Sequence, residues 1–506
     1  MGPATGPALR TTMLAAGITF IALALFLYLP GVLFAGPNGL HFIRQTDSLS
    51  FAQRFGHPSW NFFAPAVHDL RQCPDDGATA AEFPALYYVI ALVRACTGAA
   101  NYPLRIVHLA FVVLGHILLA RTAARSLHSM IAGIAFSVWM FSSSVVIYYG
   151  ANYLPDAAMY GCVLIGACLA VEHYRGTGRF FHPAAIAFLG FAGLLKAPAT
   201  LYLLGYVILG LWYRTGSDAQ GGARRGMWWA LAMVLVIIAW HSYAIRYNTR
   251  HHTHYFMTWY EPLWVMPRTE LASTWGYVRG YWWTKYHHPT TWHVLLVLTA
   301  ALIIRIRRID GAARITLGLL LVACIAFALL FFRKLRDHDY YFLTVAPTVC
   351  GIALAGLCAL RSLSTAKWMS ITLALATLVL AITGLDLGRL NLQRRFRPDA
   401  DHYTRARVLG DAMPAKLAAL HVPISARIIV SGDPSPNGTL SLLDRDGWAY
   451  ADTEAVPMET LIAQRADHLL ILGHSTSVDT TRFTTIARTC EWRLMRLTHN
   501  EAGETH

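Results

Sequence analysis

Eleven stretches of mostly apolar residues recur along this 506-residue chain, and no other feature of the sequence restricts its fold as much. They lie near 12–34, 104–122, 129–149, 156–174, 227–246, 291–305, 313–332, 342–360 and 368–387. Two more occupy 183–213 and meet at a break, Lys196-Ala197-Pro198. About 20 apolar residues in a helix cross the hydrocarbon core of a bilayer, and only a helix or a closed barrel satisfies its own backbone there. Hydrophobic residues make up 55% and charged residues 14%, with a mean hydropathy of +0.42, which excludes a disordered, fibrous or ordinary cytosolic chain. The first stretch is long and lacks an A-x-A-like site, so it is expected to remain as a span rather than be cleaved.

The loops between these stretches set an orientation. With Arg10 placed in the cytoplasm, every second short loop is basic. These loops carry Arg121 and Arg125; Arg175 and Arg179; Arg214, Arg224 and Arg225; Arg305, Arg307, Arg308 and Arg314; then Arg361 and Lys367. That puts 14 basic residues on one side, as the positive-inside rule requires. The segment from Gly388 onward holds 14 Lys/Arg against 14 Asp/Glu; taken from totals of 42 and 28, this leaves 28 against 14 in residues 1–387. The whole net charge of +14 therefore belongs to the hydrophobic part, where it reads as topology and not as a nucleic-acid surface. Three larger segments fall on the opposite face: 35–103, 247–290 and the tail.

The tail changes character. Arg427-Ile428-Ile429-Val430 and Ala466-Asp467-His468-Leu469-Leu470-Ile471-Leu472 read as buried strands, with helical patterns near 401–420 and 457–465. The expected architecture is a polytopic α-helical membrane domain over 1–387, including the loops 35–103 and 247–290. A small soluble α/β domain over 388–506 follows it. The eight cysteines have no metal-finger spacing, and most lie in apolar runs; Cys73 is open to a disulfide. No phosphate loop or nucleotide fingerprint is present.

Several charged residues stand where charge is unusual. Asp47 lies in Arg44-Gln45-Thr46-Asp47-Ser48-Leu49-Ser50-Phe51-Ala52-Gln53-Arg54-Phe55, a sequence able to form a helix on the membrane surface. An acid near such a helix start is also explained by the helix dipole. Glu82 precedes Phe83-Pro84-Ala85-Leu86-Tyr87-Tyr88, and Asp156 opens a spanning helix in Asn152-Tyr153-Leu154-Pro155-Asp156. Lys196 is a cation inside an apolar run, functional by default. Arg333-Lys334-Leu335-Arg336 breaks the charge rule on the non-cytoplasmic face. It reads either as a snorkelling helix end or as a site for an anionic head group. Three acids, Lys196 and this cluster converge on one leaflet.

The order of these elements resembles the GT-C membrane glycosyltransferases. It runs from a long first loop with an early Asp to E-x-P-aromatic, P-D at a helix start, L-K-x-P, and His338-Asp339-Tyr340-Tyr341-Phe342-Leu343 before Ala346-Pro347. Within that superfamily it is similar to the family 39/83-like enzymes, the protein O-mannosyltransferases and lipid A aminoarabinose transferases, over roughly residues 10–387. The resemblance implies transfer of a monosaccharide from a polyprenyl-phosphate carrier to an acceptor hydroxyl on a glycan, lipid or protein. The site would face the periplasm of a bacterial inner membrane, with the tail on the same side, and the chain would contact membrane lipids but no nucleic acid. By the same resemblance Asp47 matches the general base and Asp156 the second acid of the site. Lys196, Arg333, Lys334, His338 and Tyr340 match the groups that hold the carrier phosphate, and Glu82 a carboxylate that organises a divalent metal (zinc, manganese or magnesium). Phe83 departs from the Lys that follows this Glu in aminoarabinose transferases.

The residues support that chemistry independently. A leaving phosphate gains charge, which preorganised Lys/Arg donors stabilise, and a carboxylate in reach of the acceptor hydroxyl takes its proton. Single displacement opposite the phosphate would invert the anomeric centre, and no nucleotide is required. In the loop 247–290, His251, His252, His254, His287 and His288 accompany Trp259, Trp282 and Trp283. These read as an interfacial belt, or as sugar-stacking groups with His254 joining Glu82 on the metal. A transporter or flippase of lipid-linked sugars is the alternative, and would call for internal repeats and acids near mid-bilayer. A non-catalytic scaffold leaves Asp47, Asp156 and Lys196 without a reason.

Overall fold

The computed structural model describes residues 6–56, 59–98, 102–213, 220–253, 255–256, 262–308, 311–363, 367–397, 402–473, 478–481 and 483–497. Each of the eleven apolar stretches coincides with helix. Among the described residues, five helices are long and apolar enough to cross a membrane: Pro103–Leu127, Asp156–Thr177, Arg224–Arg250, Asp339–Arg361 and Trp368–Arg395. Two bent pairs qualify when each is taken as one span. Met130–Phe141 with Ser144–Gly150 bends by 79°, and Arg268–Lys285 with Pro289–Ile304 by 102°. Arg10–Phe26, Pro183–Leu195, Ala197–Leu211 and Leu317–Phe331 are shorter apolar helices. The last long helix continues eight residues past the expected end at 387, to Arg395.

Packing divides the chain differently from the single boundary drawn at 387/388. One compact unit comprises Met1–Leu33, Arg105–Trp240 and Trp259–Arg394; the other comprises Phe34–Leu104, His241–Thr258 and Arg395–His506. In the first unit, helices pack through small residues. A Cβ on Gly161 would meet the Phe111 carbonyl carbon at 2.4 Å, so glycine lets the Asp156–Thr177 and Pro103–Leu127 backbones touch. The expected break falls at Lys196, which ends the Pro183–Leu195 helix in extended conformation. Its N–H still reaches Ala192 O at 2.9 Å, and a short 3-10 turn, Ala197–Ala199, carries Pro198, which has no N–H to donate.

The second unit is built on a five-stranded sheet: β1 (Ile428–Ser431), β2 (Gly447–Tyr450), β3 (His468–Leu472), β4 (Thr484–Arg488) and β5 (Trp492–Arg496). Its order is β2-β1-β3-β5-β4; β1 pairs in parallel with β2 and β3, and β5 runs antiparallel to β3 and β4. Strand residues alternate between two cores, as the pleat requires. Ile428 and Val430 pack with Met413, Leu417, Leu440 and Leu494, whereas Ile429 packs with Trp448, Leu461, Leu469 and Met495.

The first loop belongs to this unit. Leu70 enters the second of those cores, and its N–H reaches Gly447 O at 2.8 Å. The segment around Asp69 thus lies along the free edge of β2 and covers it. The helix Phe42–Arg54 packs on the helix Gly438–Leu443, with Gln53 Nε2 donating to Ser441 O at 3.0 Å. Ten of its thirteen residues are buried, including Gln45, Thr46, Asp47, Ser48, Ser50 and Gln53, so it is an internal helix and not one lying on a membrane surface. Cys73 forms no disulfide: its thiol is buried 3.1 Å from Thr253 Oγ1.

Candidate active site

Two of the acids singled out in the sequence, Asp47 and Asp156, are buried, one in each unit. In the sheet-containing unit Asp47 is 1% exposed. The helix Phe42–Arg54 has no acid in its first turn, so Asp47 lies too far along it for the dipole to account for its position. Its partners come from three separate segments. Tyr255 Oη lies 3.1 and 3.2 Å from its two oxygens, Asn437 Nδ2 donates to Oδ1 at 2.9 Å, and Arg44 Nη1 lies 3.4 Å from Oδ2. Arg44 is shared, since its Nη2 donates to Glu82 Oε1 at 3.0 Å, and its guanidinium lies 5.7 Å from the centre of the Phe256 ring.

Burial, opposed by these partners, sets the proton affinity. Burial pushes the Asp47 carboxyl up to about 6, against the opposing pull of Arg44 and of the Asn437 and Tyr255 hydrogen bonds; Glu82 adds a further upward push. Asp69 is held similarly. Burial pushes it to about 7, although the backbone N–H groups of Arg71 and Gln72 donate to it. A carboxylate poised near neutrality is suited to accept a proton.

In the helical unit Asp156 lies in the first turn of the helix Asp156–Thr177 and is fully buried. Lys196 Nζ is 3.2 Å from its Oδ2, so the break in the apolar run places this cation on that acid. Lys196 Nζ also lies 6.0 Å from the centre of the Tyr340 ring, which packs edge-on against Tyr149 at 5.8 Å. The Tyr149 hydroxyl donates to Asp339. Tyr340 thus joins the Lys196 site. His338 stacks on Tyr341 at 5.7 Å and meets the edge of Tyr340. Arg333 is exposed and paired with Glu270 at 2.6 Å; Lys334 opens the short helix Lys334–Asp337, half-buried.

Glu82 faces the Arg44 guanidinium, and among the described residues no group of three His, Cys, Asp or Glu side chains could hold a metal ion. His254, Trp259 and Arg214 lie outside the described residues. Of the other loop histidines, His251 pairs with Asp75 at 3.1 Å and His288 accepts from Thr290 N at the start of the helix Pro289–Ile304. His287 is buried against Trp292.

Arg44, three residues before Asp47, was legible as a partner from helical spacing. Tyr255 and Asn437 were not. They lie 208 and 390 residues from Asp47, and only Asn437 carried any signal, the turn Asp433-Pro434-Ser435-Pro436-Asn437-Gly438 after a strand.

No family model matches the chain, and no curated protein resembles it in sequence. Solved structures do resemble it in fold. ArnT from Cupriavidus metallidurans bound to undecaprenyl phosphate superposes with a TM-score of 0.57 at 12% identity, over 96% of this chain and 99% of that one. The arabinofuranosyltransferase AftD from Mycobacteria gives 0.54 at 13% identity, over 99% of this chain and 42% of that one. An oligosaccharyltransferase from Archaeoglobus fulgidus in its apo form gives 0.50 at 10% identity, over 91% and 69%. The fold is GT-C-like. With its apolar helices, the chain is a multi-pass membrane protein of that architecture.

Proposed function

We propose that this protein is a glycosyltransferase that moves a monosaccharide from a polyprenyl-phosphate carrier to an acceptor hydroxyl. The observation that carries the reading is Asp47: a carboxylate in the first long loop, fully buried, yet held near pH 6 by burial and by a cation it shares with Glu82. The fold likeness to ArnT bound to undecaprenyl phosphate, over nearly the whole of both chains, supports the donor class.

In this mechanism Asp47, ionised above about pH 6, takes the proton of the acceptor hydroxyl as that oxygen attacks the anomeric carbon. The bond from that carbon to the phosphate oxygen breaks, and its electron pair leaves with the carrier as polyprenyl phosphate. Within the helical unit, Lys196 is the cation proposed for the carrier phosphate, exchanging the Asp156 carboxylate for a phosphate oxygen. Lys334 and His338 join Lys196 on the phosphate, and Arg333 does so on release from Glu270. One displacement inverts the anomeric centre. We place the reaction at the periplasmic face of a bacterial inner membrane, with 388–506 on that side, on the strength of the alternation of basic loops.

The test is mass spectrometry of lipids that co-purify with the protein, followed by transfer of label from that lipid to an acceptor in reconstituted membranes. A polyprenyl-phosphate sugar that loses its sugar to a hydroxyl acceptor, with inversion, is the expected result. Movement of the intact lipid-linked sugar between leaflets without bond cleavage would instead establish the flippase reading.

A further inference from the structure

Asn437 is fully buried at the start of the helix Gly438–Leu443, in the turn that follows β1. Both ends of its side chain are in use. Its Oδ1 accepts from the backbone N–H of Asp69 at 3.1 Å and from Ser50 Oγ at 3.3 Å, while its Nδ2 donates to Asp47 Oδ1 at 2.9 Å. The backbone N–H of Asp69 can only donate, so the amide oxygen must face it. That fixes the amide: its NH2 group is turned toward Asp47 and cannot flip without placing a donor against a donor.

The turn carrying Asn437 is itself held firmly. The Asp433 carboxylate accepts from Ser435 N and Thr439 N, both at 2.8 Å, and from Ser435 Oγ at 3.3 Å. The N–H groups of Gly432 and Asp433 both reach Tyr450 O on β2, at 2.9 and 3.0 Å. Position and orientation are therefore imposed on Asn437 by the sheet, not by Asp47.

The two Asp47 oxygens are served unequally among the described residues. Oδ1 has the Asn437 bond at 2.9 Å and the nearer approach of Tyr255 at 3.1 Å. Oδ2 has a longer contact with Arg44 at 3.4 Å and shares the single Tyr255 proton at 3.2 Å. A carboxylate offers roughly four acceptor positions, and the less occupied ones are on Oδ2.

We propose that Asn437, contributed by the segment after the last membrane helix, is a positioning residue that locks Asp47 so that Oδ2 is the oxygen that takes the acceptor's proton. This rests on Asp47 being the base of the transfer reaction. It gives the C-terminal segment a role in the chemistry: the sheet orients a carboxylate that lies in the first loop. A buried carboxylate held by a neutral N–H donor keeps a defined geometry, while its affinity for a proton is lowered only moderately.

The discriminating variant is Asn437→Asp. It preserves the oxygen that receives the Asp69 N–H and replaces only the donor that faces Asp47 with a second carboxylate. Two readouts are required. One is the pH profile of kcat/KM for transfer from the lipid-linked donor extracted from the host membrane. The other is infrared titration of the protonated carboxyl band that disappears in Asp47→Asn. We expect both midpoints to move upward by about one unit or more, with about tenfold loss of rate below the new midpoint for each unit, and recovery above it. Asn437→Ala, which removes the donor without adding charge, is expected to shift the infrared midpoint the same way by less, and serves if Asn437→Asp does not fold. Midpoints that stay in place in both variants, while Asp47→Asn is inactive, would overturn the role of Asn437 alone. A fully active Asp47→Asn protein would overturn the reading beneath it.

Discussion

The two buried acids answer the same problem in different ways. Asp156 meets the Lys196 ammonium at 3.2 Å, with an aromatic face beside that cation. Asp47 has only part of a cation, because Arg44 also serves Glu82, and two neutral donors supply the rest. A buried ion pair holds both charges until a competing charge arrives. A carboxylate with a divided cation retains its appetite for a proton. The difference is consistent with the proposed roles: release of Lys196 to an incoming phosphate in the first arrangement, proton abstraction in the second.

The largest test of that contrast is Asp47→Asn. Removing the base is expected to lower transfer by about 10²–10⁴-fold with the protein still folded and undecaprenyl phosphate still bound, measured in reconstituted membranes. Full activity would make the two acids equivalent after all. Next is Lys196→Ala, expected to weaken undecaprenyl phosphate binding by about 1–3 kcal/mol in a titration, since a charge-assisted bond is lost and Asp156 is left in the site. Affinity equal to the unmodified protein would return Lys196 to a purely structural pairing with Asp156.

Arg44→Gln sharpens the comparison from the other side. The guanidinium is the largest influence holding the Asp47 carboxyl down, so its removal should carry the acid limb of the rate profile above about pH 6 and leave the limiting rate at high pH less affected. A limb that moves downward would reverse the electrostatic assignment.

A smaller effect concerns stability. Asp47 and Asp69 have folded values of about 6 and about 7, both above 3.8, so folding favours their protonated forms. Their contribution is complete below about pH 4 and is lost as the pH rises through about 6 and 7. The melting temperature in detergent should therefore decline across that window more in the unmodified protein than in Asp47→Asn. Arg333→Ala is expected to change least. Its exposed pairing with Glu270, of a kind worth about 0–1 kcal/mol, offsets part of the bond lost to the phosphate, so carrier affinity should fall, by less than in Lys196→Ala; an unchanged affinity would remove Arg333 from the carrier site.

Much of the fold was legible because hydrophobic length and loop charge are local properties. The break at Lys196-Ala197-Pro198, β1, β3 and the helices flanking them were read from short windows, and each is where those windows put it. β2, β4 and β5 were not read: Gly447–Tyr450 lacks the β-branched run that marks β1, and Thr484–Arg488 has no apolar alternation to mark it. The helix Phe42–Arg54 shows the opposite failure. Its polar residues suggested a water-facing side, yet Gln45, Ser50 and Gln53 are buried because each finds a hydrogen-bond partner inside the unit.

The sequence by itself marked the chain as one that crosses a membrane repeatedly, and marked Asp47, Asp156 and Lys196 as charges in need of a reason. Apolar length and charge act over tens of residues, so they are written along the chain. Tertiary structure alone decided which cation answers which acid, that the first loop shares a unit with the tail, and that Asn437 meets Asp47. Hydrogen bonds act over about 3 Å of space whatever the separation in sequence, and nothing along the chain records that proximity.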